Sequence, residues 1–547
     1  MKALKNNHFV LLILTCVAIF FVNLDALIVN IMEARNFISA REMLHDGNWL
    51  LTTINAEPRY QKPPLPTWIT AFSGAIFGIK SVAALRLPAA FLALITVLFS
   101  YKVSIKLTEN KIYAFISALV LATSFYIVAS GRDGQWDIYT HGFMLVCIYQ
   151  LYLFFTQDEK KYQHVLIAAF FFGCSFMSKG PVSMYSLLLP FIISFGIVYK
   201  YKNFKSRILP LVLFLMLSFV LSGWWYLYTF NYDPISVAEI TKRETDNWTG
   251  HNVRPFYYYW SFFIQSGVWT IPAFIGLLYP YLKNKVSNKK AYLFTFLWTI
   301  ISVVLLSIIP EKKSRYLLPV LIPLALNTAF YIEYLVLKFE EIKDKRETIP
   351  VYFNFGVIAS IGLIFPIGGY FFLKDSLEGK WIWFLLLSIA LFCIGFFILR
   401  NLIRKKIQVV FYLTIAFIAA IICFGLPLAD VFKDNTEYRG LSEIKGWKLK
   451  EKVEVYEYDG FTPELIWDYG EPIEVLCQNN KLRTPSEERF ALLVIEDYLT
   501  LFHEDFEGFT IEKVTRYDMN PRAEGHRTHR NRLFRDLFLI TKSEMGN

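Results

Sequence analysis

The sequence IMEARNFISAREML (31–44), followed by RYQKPPLPTW (59–68), lies between two long apolar runs. Apolar residues recur at helical spacing from Glu33 to Leu44, which predicts a helix, and the prolines after it predict irregular structure. A bilayer-spanning helix needs about 20 apolar residues, and the runs on both sides supply them. The segment 28–83 is therefore predicted to be a loop outside the membrane that joins the first two spans.

The composition is that of a membrane protein. The chain has 547 residues, of which 55% are hydrophobic, 19% are charged and 51 are phenylalanine. A soluble chain of this length carries more charge on its surface. The net charge of +10 does not indicate nucleic acid binding, because the Lys and Arg residues lie between the apolar runs rather than in one patch.

About thirteen apolar runs predict an all-α polytopic membrane domain over residues 1–431. The first follows a short basic N-terminus without a small-residue cleavage site, which predicts a retained anchor. The approximate spans are 8–28, 83–104, 112–130, 138–156, 163–178, 182–199, 208–230, 258–282, 291–309, 316–337, 351–373, 381–399 and 407–428.

Alternate loops are basic, which places the N-terminus in the cytoplasm and the loop 28–83 outside. The same alternation places the polar tail, residues 432–547, outside. Its β-type runs at Val453–Tyr456, Ile473–Leu476 and Ala491–Ile495 predict a small extracytoplasmic α/β domain.

The outside loops concentrate the ionisable groups, several of them at helix ends. Cations at one level of a membrane suit an anionic headgroup, because Arg makes bidentate phosphate contacts and Lys supplies a point charge. Glu33 and Asp137 are the best-placed carboxylates for a general base. The sequence has no Asp-x-Asp pair and no phosphate-binding loop, which favours a lipid-linked donor over a nucleotide sugar. No cofactor and no metal site are predicted, although a requirement for a divalent metal is left open.

Residues 32–44, 47–50 and 60–68 resemble the first loop of the aminoarabinose-transferase and protein-mannosyltransferase family, which are GT-C, family 39-like enzymes. The resemblance covers roughly the first 320 residues. Further motifs follow in the order of that family: Arg86-Leu87-Pro88, residues 132–137, Lys179-Gly180-Pro181, residues 224–226, residues 251–258 and residues 312–319.

The resemblance implies a GT-C membrane domain with two amphipathic helices in the first loop and a C-terminal domain outside the cytoplasm. It implies that Lys62 and Arg35 hold the carrier phosphate, that Glu33 and Asp137 are the active-site carboxylates, and that Tyr316 lines the cavity. The other candidate substrate-binding residues are Arg59, Tyr60, Gln61, Arg243, His251, Arg254, Lys313 and Arg315.

Two residues depart from the family pattern. Met32 stands where the family usually has Asp, which shifts the role of base to Glu33 or Asp137. Gln61 stands where the family often has Glu, which bears on how the donor sugar is held.

The predicted function is transfer of a sugar from a polyprenyl-phosphate donor to a lipid A-like glycolipid or a protein. The predicted enzyme is a monomer of the bacterial inner membrane, acts on the exterior side and has no nucleic acid partner. One alternative is a lipid or sugar transporter, but transporters place charges near the midplane in two related halves. Another is a sensor that acts through its tail, and deletion of 432–547 would separate it from an enzyme.

Replacing Lys62 by alanine (Lys62→Ala) is expected to abolish sugar transfer while the protein still folds in the membrane. The reason is that the leaving phosphate would lose a positive charge that stabilises it. Transfer activity and the yield of folded protein in membranes are the measurements. Normal turnover by this variant would contradict the assignment of Lys62 to the phosphate.

Overall fold

The computed structural model describes residues 7–250, 252–478 and 481–542. The chain divides into two compact units. The membrane unit comprises Met1–Ala26 and Tyr60–Leu428, and the sheet unit comprises Leu27–Arg59 and Ala429–Asn547. The predicted fold class, a helical membrane domain with a small C-terminal α/β domain, is confirmed. Residues 27–59, which the sequence-based division placed with 1–431, cluster with the C-terminal residues.

Eight described helices of the membrane unit are long and apolar enough to cross a membrane, and a bent pair raises the number to nine. The predicted count of thirteen is not confirmed. The eight are Val82–Thr108, Asp137–Thr156, Phe204–Tyr232, Lys289–Ile308, Ser314–Lys338, Lys345–Ser376, Trp381–Ile403 and Ile407–Phe432. The bent pair is Lys111–Ala122 with Phe125–Gly131, and the shorter apolar helices are His8–Phe20, Leu65–Phe77 and Met184–Val198. The other helices are Lys161–Lys179, Pro234–Gly250, Thr270–Gly276 and Tyr279–Leu282.

Two predicted spans are broken. The run 112–130 bends by 66° between its two helices. The hydroxyls of Thr123 and Ser124 donate to the carbonyl oxygens of Leu119 and Val120 at 2.6 and 2.7 Å, and such bonds compete with continuation of the helix.

The run 258–282 is a series of short pieces, and the prediction of one continuous span was wrong. Two 3₁₀ segments, Phe256–Tyr259 and Phe262–Trp269, precede two short α-helices. Gly267 has a φ of +69° inside the second segment, and a Cβ there would lie 3.0 Å from the Cβ of Phe125. A backbone conformation that favours glycine therefore interrupts the run, although its composition is apolar.

The helix Asp137–Thr156 packs against Val82–Thr108 and Lys161–Lys179. Gly142 allows a close approach, because a Cβ at that position would lie 2.7 Å from Oγ1 of Thr96. The guanidinium of Arg132 donates to the carbonyl oxygens of Ile19, Val22 and Asn23 at 2.6 to 2.7 Å. Burial and the nearby Arg86 lower the pKa of Arg132 to about 10. These contacts fix the turn that leads into Asp137.

The sheet unit contains a six-stranded mixed sheet and a two-stranded hairpin. The strands are β1 (Thr53–Ile54), β2 (Glu57–Pro58), β3 (Val455–Asp459), β4 (Val475–Gln478), β5 (Lys481–Leu482), β6 (Arg489–Val494), β7 (Phe509–Asp518) and β8 (Phe534–Lys542). The order in the large sheet is β5-β4-β3-β6-β8-β7, with β3 parallel to β4 and to β6 and the other pairs antiparallel. The helices are Ile31–Asp46, Ile444–Glu451, Pro463–Tyr469 and Leu499–Asp505. The predicted strands near residues 453, 473 and 491 are thus confirmed.

The first-loop helix is part of the core of the sheet unit. Ile38 and Ile54 are buried in one cluster with Leu441, Leu465 and other residues of the C-terminal segment. Since these apolar contacts lie between sequence-distant segments, the helix Ile31–Asp46 gains its stability from the sheet as well as from its own hydrogen bonds.

Asn55 joins the hairpin to the sheet segment. Its Nδ2 donates to the carbonyl oxygen of Ile473 at 2.7 Å, and its Oδ1 accepts from the Ile473 amide at 2.8 Å. Its own amide donates to Oε1 of Glu42 at 2.7 Å. Deletion of 432–547 would remove these partners, so loss of function in that deletion would not by itself indicate a sensor.

The variant Asn55→Ala is expected to destabilise the segment 47–59 by about 2 kcal/mol, because two buried backbone groups of Ile473 lose their partner. The segment should then open about thirtyfold more often, and limited proteolysis of the full chain in detergent measures that opening. Asn48→Ala is the matched control, since the side chain of Asn48 bonds within the segment, to Oγ1 of Thr53 at 3.1 Å. Equal cleavage rates for both variants would contradict this account of the hairpin.

Candidate active site

A buried ion pair lies where two helices of the membrane unit meet. Asp137 is the first residue of Asp137–Thr156, and Lys179 is the last residue of Lys161–Lys179. Nζ of Lys179 donates to Oδ1 of Asp137, and the exposed fractions of the two residues are 9% and 4%. A buried charge is costly unless it is paired, so each residue depends on the other.

Three cationic groups surround the ring of Tyr316. Nζ of Lys179 lies 5.3 Å from the ring centroid, while Nζ of Lys313 and Cζ of Arg315 each lie 5.8 Å from it. These distances are in the range of cation–π attraction. We call the three cations and Tyr316 the cationic cluster.

Glu311 and Asp137 are the carboxylates that balance the cationic cluster. Glu311 lies 2.5 Å from Nζ of Lys313, and its Oε1 accepts from the hydroxyl of Tyr316 at 3.3 Å. Arg315 acts electrostatically on Asp137. Among these six side chains, three are positive and two are negative, so the group keeps an excess positive charge that an anion can neutralise.

Lys312 fixes the loop that carries the cluster. Its buried ammonium donates to the carbonyl oxygens of Ile309 at 2.6 Å, Arg254 at 3.0 Å and Pro310 at 3.4 Å. Burial lowers the pKa of Lys312. The amide of Arg254 donates to the carbonyl oxygen of Pro310 at 3.2 Å, so this lysine holds two separate loops of the membrane unit together.

Tyr259 positions Lys313 from the other side. Its hydroxyl donates to the carbonyl oxygen of Lys313 at 3.1 Å and accepts from the Lys313 amide at 3.0 Å. Burial raises the pKa of Tyr259, so its hydroxyl stays protonated and able to donate.

The structure thus brings four of the sequence-predicted residues together, namely Asp137, Lys313, Arg315 and Tyr316. Arg254 contributes backbone bonds, and its side chain is exposed. Arg243 is exposed on the helix Pro234–Gly250. His251 lies outside the described residues.

Tyr60, Gln61 and Lys62 lead into the helix Leu65–Phe77 of the membrane unit. The hydroxyl of Tyr60 donates to Oδ2 of Asp233 at 2.9 Å, and burial together with this bond raises the pKa of Tyr60. Oε1 of Gln61 is buried without a hydrogen-bond partner among the described residues. Lys62 is half-buried.

Glu33, Arg35 and Arg59 belong to the sheet unit. The carboxylate of Glu33 accepts from the backbone amide of Asn30 at 3.2 Å and from its side-chain amide at 3.0 Å. In return, the side-chain oxygen of Asn30 accepts from the backbone amides of Met32 and Glu33. This reciprocal arrangement is a capping box. Arg35 is half-buried, and buried Arg59 donates to Oγ of Ser39 at 3.3 Å.

Sequence reasoning named neither Lys179 nor Glu311 as a site residue. A signal for Lys179 was present, because a lysine that ends an apolar run directly before Gly-Pro is placed at a helix terminus. Glu311 had no local signal, since its role depends on residues brought near by the fold. Within the described part of the chain, no group of three His, Cys, Asp or Glu side chains is placed to hold a metal ion.

The family model described as dolichyl-phosphate-mannose-protein mannosyltransferase matches residues 61–226. ArnT from Cupriavidus metallidurans, in a crystal structure with bound undecaprenyl phosphate, has a TM-score of 0.72 over 97% of both chains at 16% identity. An undecaprenyl phosphate-α-4-amino-4-deoxy-L-arabinose arabinosyl transferase 1 of Proteus mirabilis (strain HI4320) is 23% identical over 61% of this chain. The chain is similar to GT-C, family 39 glycosyltransferases of the aminoarabinose transferase type, and it shares the fold of the ArnT structure.

An uncharacterized protein of Aquifex aeolicus (strain VF5) is 27% identical over 55% of this chain. The chain spans 58% of that relative and 59% of the Proteus protein. The family model begins at Gln61 and covers the Asp137–Lys179 pair, whereas the cationic residues 313 and 315 lie beyond it.

The variant Lys179→Met is expected to destabilise the membrane unit by about 3–5 kcal/mol, because it leaves the Asp137 carboxylate buried without its partner. Thermal unfolding in detergent measures the loss. The double variant Asp137→Asn, Lys179→Met removes both charges and should recover most of the stability. A double variant that is as unstable as Lys179→Met would show that charge burial is not the cause.

Proposed function

We propose that this protein transfers a sugar from a polyprenyl-phosphate carrier to an acceptor on the non-cytoplasmic side of the membrane. The observation that carries the proposal is the cationic cluster, in which three cations meet at one tyrosine ring beside a buried carboxylate. Glycosyl transfer from a lipid phosphate needs cations for the leaving phosphate and a carboxylate for the acceptor.

The excess positive charge stabilises the phosphate as its bond to the sugar breaks. Lys313 and Arg315 are suited to this task, because Arg binds phosphate oxygens in pairs and Lys supplies a mobile point charge. Lys62 and Arg35 remain further candidates for phosphate contacts, with Arg59, Tyr60, Gln61, Arg243, His251 and Arg254 as other candidates along the substrate path.

Asp137 is the favoured base. It would orient or deprotonate the acceptor hydroxyl as that hydroxyl attacks the anomeric carbon. Asp137 is favoured over Glu33 because it lies in the same unit as the cationic cluster, whereas Glu33 belongs to the sheet unit and caps its own helix there. This chain has Met32 where the family pattern usually has Asp. We therefore assign the role of base to Asp137.

The names of the relatives support a polyprenyl-phosphate donor, and the acceptor class is a lipid A-like glycolipid or a protein hydroxyl. We place the enzyme in the bacterial inner membrane as a monomer with its active site facing the exterior. The basic loops on the opposite side support this orientation.

The variants Lys313→Gln and Arg315→Gln test the proposal. Each is expected to weaken binding of undecaprenyl phosphate about tenfold or more, because each removes one positive charge that would face the phosphate. Binding of the purified protein to undecaprenyl phosphate in detergent is measured by the quenching of intrinsic fluorescence. Transfer is measured with a polyprenyl-phosphate-linked radioactive sugar and a lipid extract or protein acceptor.

Lys285→Gln is the matched control. Lys285 also faces tyrosine rings, at 4.0 Å from Tyr281 and 5.2 Å from Tyr334, and pairs with Glu347 at 2.6 Å. It precedes the helix Lys289–Ile308, while Lys313 follows it, so about 30 Å of helix separates the two lysines. Equal weakening in the control and the cluster variants, or movement of the lipid across vesicles without sugar transfer, would overturn the proposal.

A further inference from the structure

Behind the ion pair of the membrane unit lies a second buried polar pair, which no step described so far uses. Nδ1 of His141 and Oγ of Ser183 are 3.1 Å apart and share a hydrogen bond. Both residues are buried, with exposed fractions of 1% and 0%. Burying two polar side chains is costly unless they bond to each other, so each residue of the pair depends on the other.

The placement of the pair relates it to the candidate base. His141 follows Asp137 by four residues on one helix, so the two side chains lie on the same face, one turn apart. Ser183 follows Lys179 by four residues, across Gly180-Pro181. The two pairs therefore join the same two chain segments, and His141 interacts electrostatically with both Asp137 and Lys179.

Resting on the proposed function, we propose that His141, held by Ser183, is a positioning residue that fixes Asp137 against Lys179. The helix Lys161–Lys179 ends at its lysine, so the chain after the ion pair lies outside that helix. The bond between His141 and Ser183 ties this following segment to the helix Asp137–Thr156. It limits how far the start of Asp137–Thr156 and the segment after Lys179 can move apart.

A positioning role for His141 predicts that its loss lowers kcat and leaves KM unchanged, because Asp137 must lie within hydrogen-bond distance of the acceptor. His141→Leu removes the tie and is expected to lower kcat roughly 10- to 100-fold, because small displacements of a catalytic group are costly. The KM for the donor should stay near that of the native protein, since Lys313 and Arg315 are untouched. His141→Asn keeps a polar atom close to the place of Nδ1 and should restore a large part of kcat.

A double-mutant cycle separates positioning from general stability. If His141 acts through Asp137, then adding His141→Leu to Asp137→Asn should cause little further loss of kcat, whereas a purely structural residue would add its full effect. Ser186→Ala is the matched control. Ser186 is also a fully buried serine of the segment after Lys179, and it donates to the carbonyl oxygen of Val182 in that same segment at 2.7 Å. Its loss should leave kcat unchanged.

An infrared measurement on the full-length protein tests the same inference without turnover. The absorption of the Asp137 carboxylate is obtained as the difference between the native spectrum and that of Asp137→Asn. We expect this band to shift in His141→Leu and in Ser183→Ala, and to stay in place in Ser186→Ala. A band that stays unchanged in the first two variants would overturn the inference. A shifted band in a protein that transfers no sugar would support the positioning role and overturn the proposed function alone.

Discussion

The buried contact between Asp137 and Lys179 is the interaction on which the membrane unit is organised. Two helices begin and end at this pair, and the low dielectric of their surroundings makes each charge dependent on the other. The ion pair adds to the packing in fixing the register, because any slide of one helix along the other would leave two charges buried without partners. The ring of Tyr316 is then held within reach of the Lys179 ammonium.

The composition and the apolar runs were enough to predict the fold class, because lipid imposes a simple rule on sequence. The number of spans was not predictable in the same way. The run 258–282 has the composition of a span, yet Gly267 adopts a positive φ against Phe125, which is a contact between distant residues. In the run 112–130, the hydroxyls of Thr123 and Ser124 bond to carbonyl oxygens of their own helix at the bend. Hydropathy records only the apolar character of a segment, so it registers neither the distant contact at Gly267 nor these local hydrogen bonds.

The sequence predicted only those residues of the site that carry a local signal. Asp137, Lys313, Arg315 and Tyr316 were visible as polar residues at the ends of apolar runs, and the structure groups them. Glu311 could not be assigned, because its partners Lys313 and Tyr316 become partners only when the loop folds back. For Glu33, a local signal favoured a structural role over a catalytic one. Asn30 precedes Glu33 by three residues, and this spacing is that of a capping box at the start of a helix.

The first loop is divided between the two units, so its candidate residues are held by different parts of the structure. The chain passes from the sheet unit to the membrane unit between Arg59 and Tyr60. Glu33 and Arg35 are therefore held by a helix whose apolar face is buried in the sheet core, while Lys62 is held by the membrane unit. A substitution near Ile473 in the C-terminal segment would act on the first-loop segment through the two hydrogen bonds of Asn55. The C-terminal residues are therefore part of the structure that holds residues 27–59, because both belong to the sheet unit and share one apolar core.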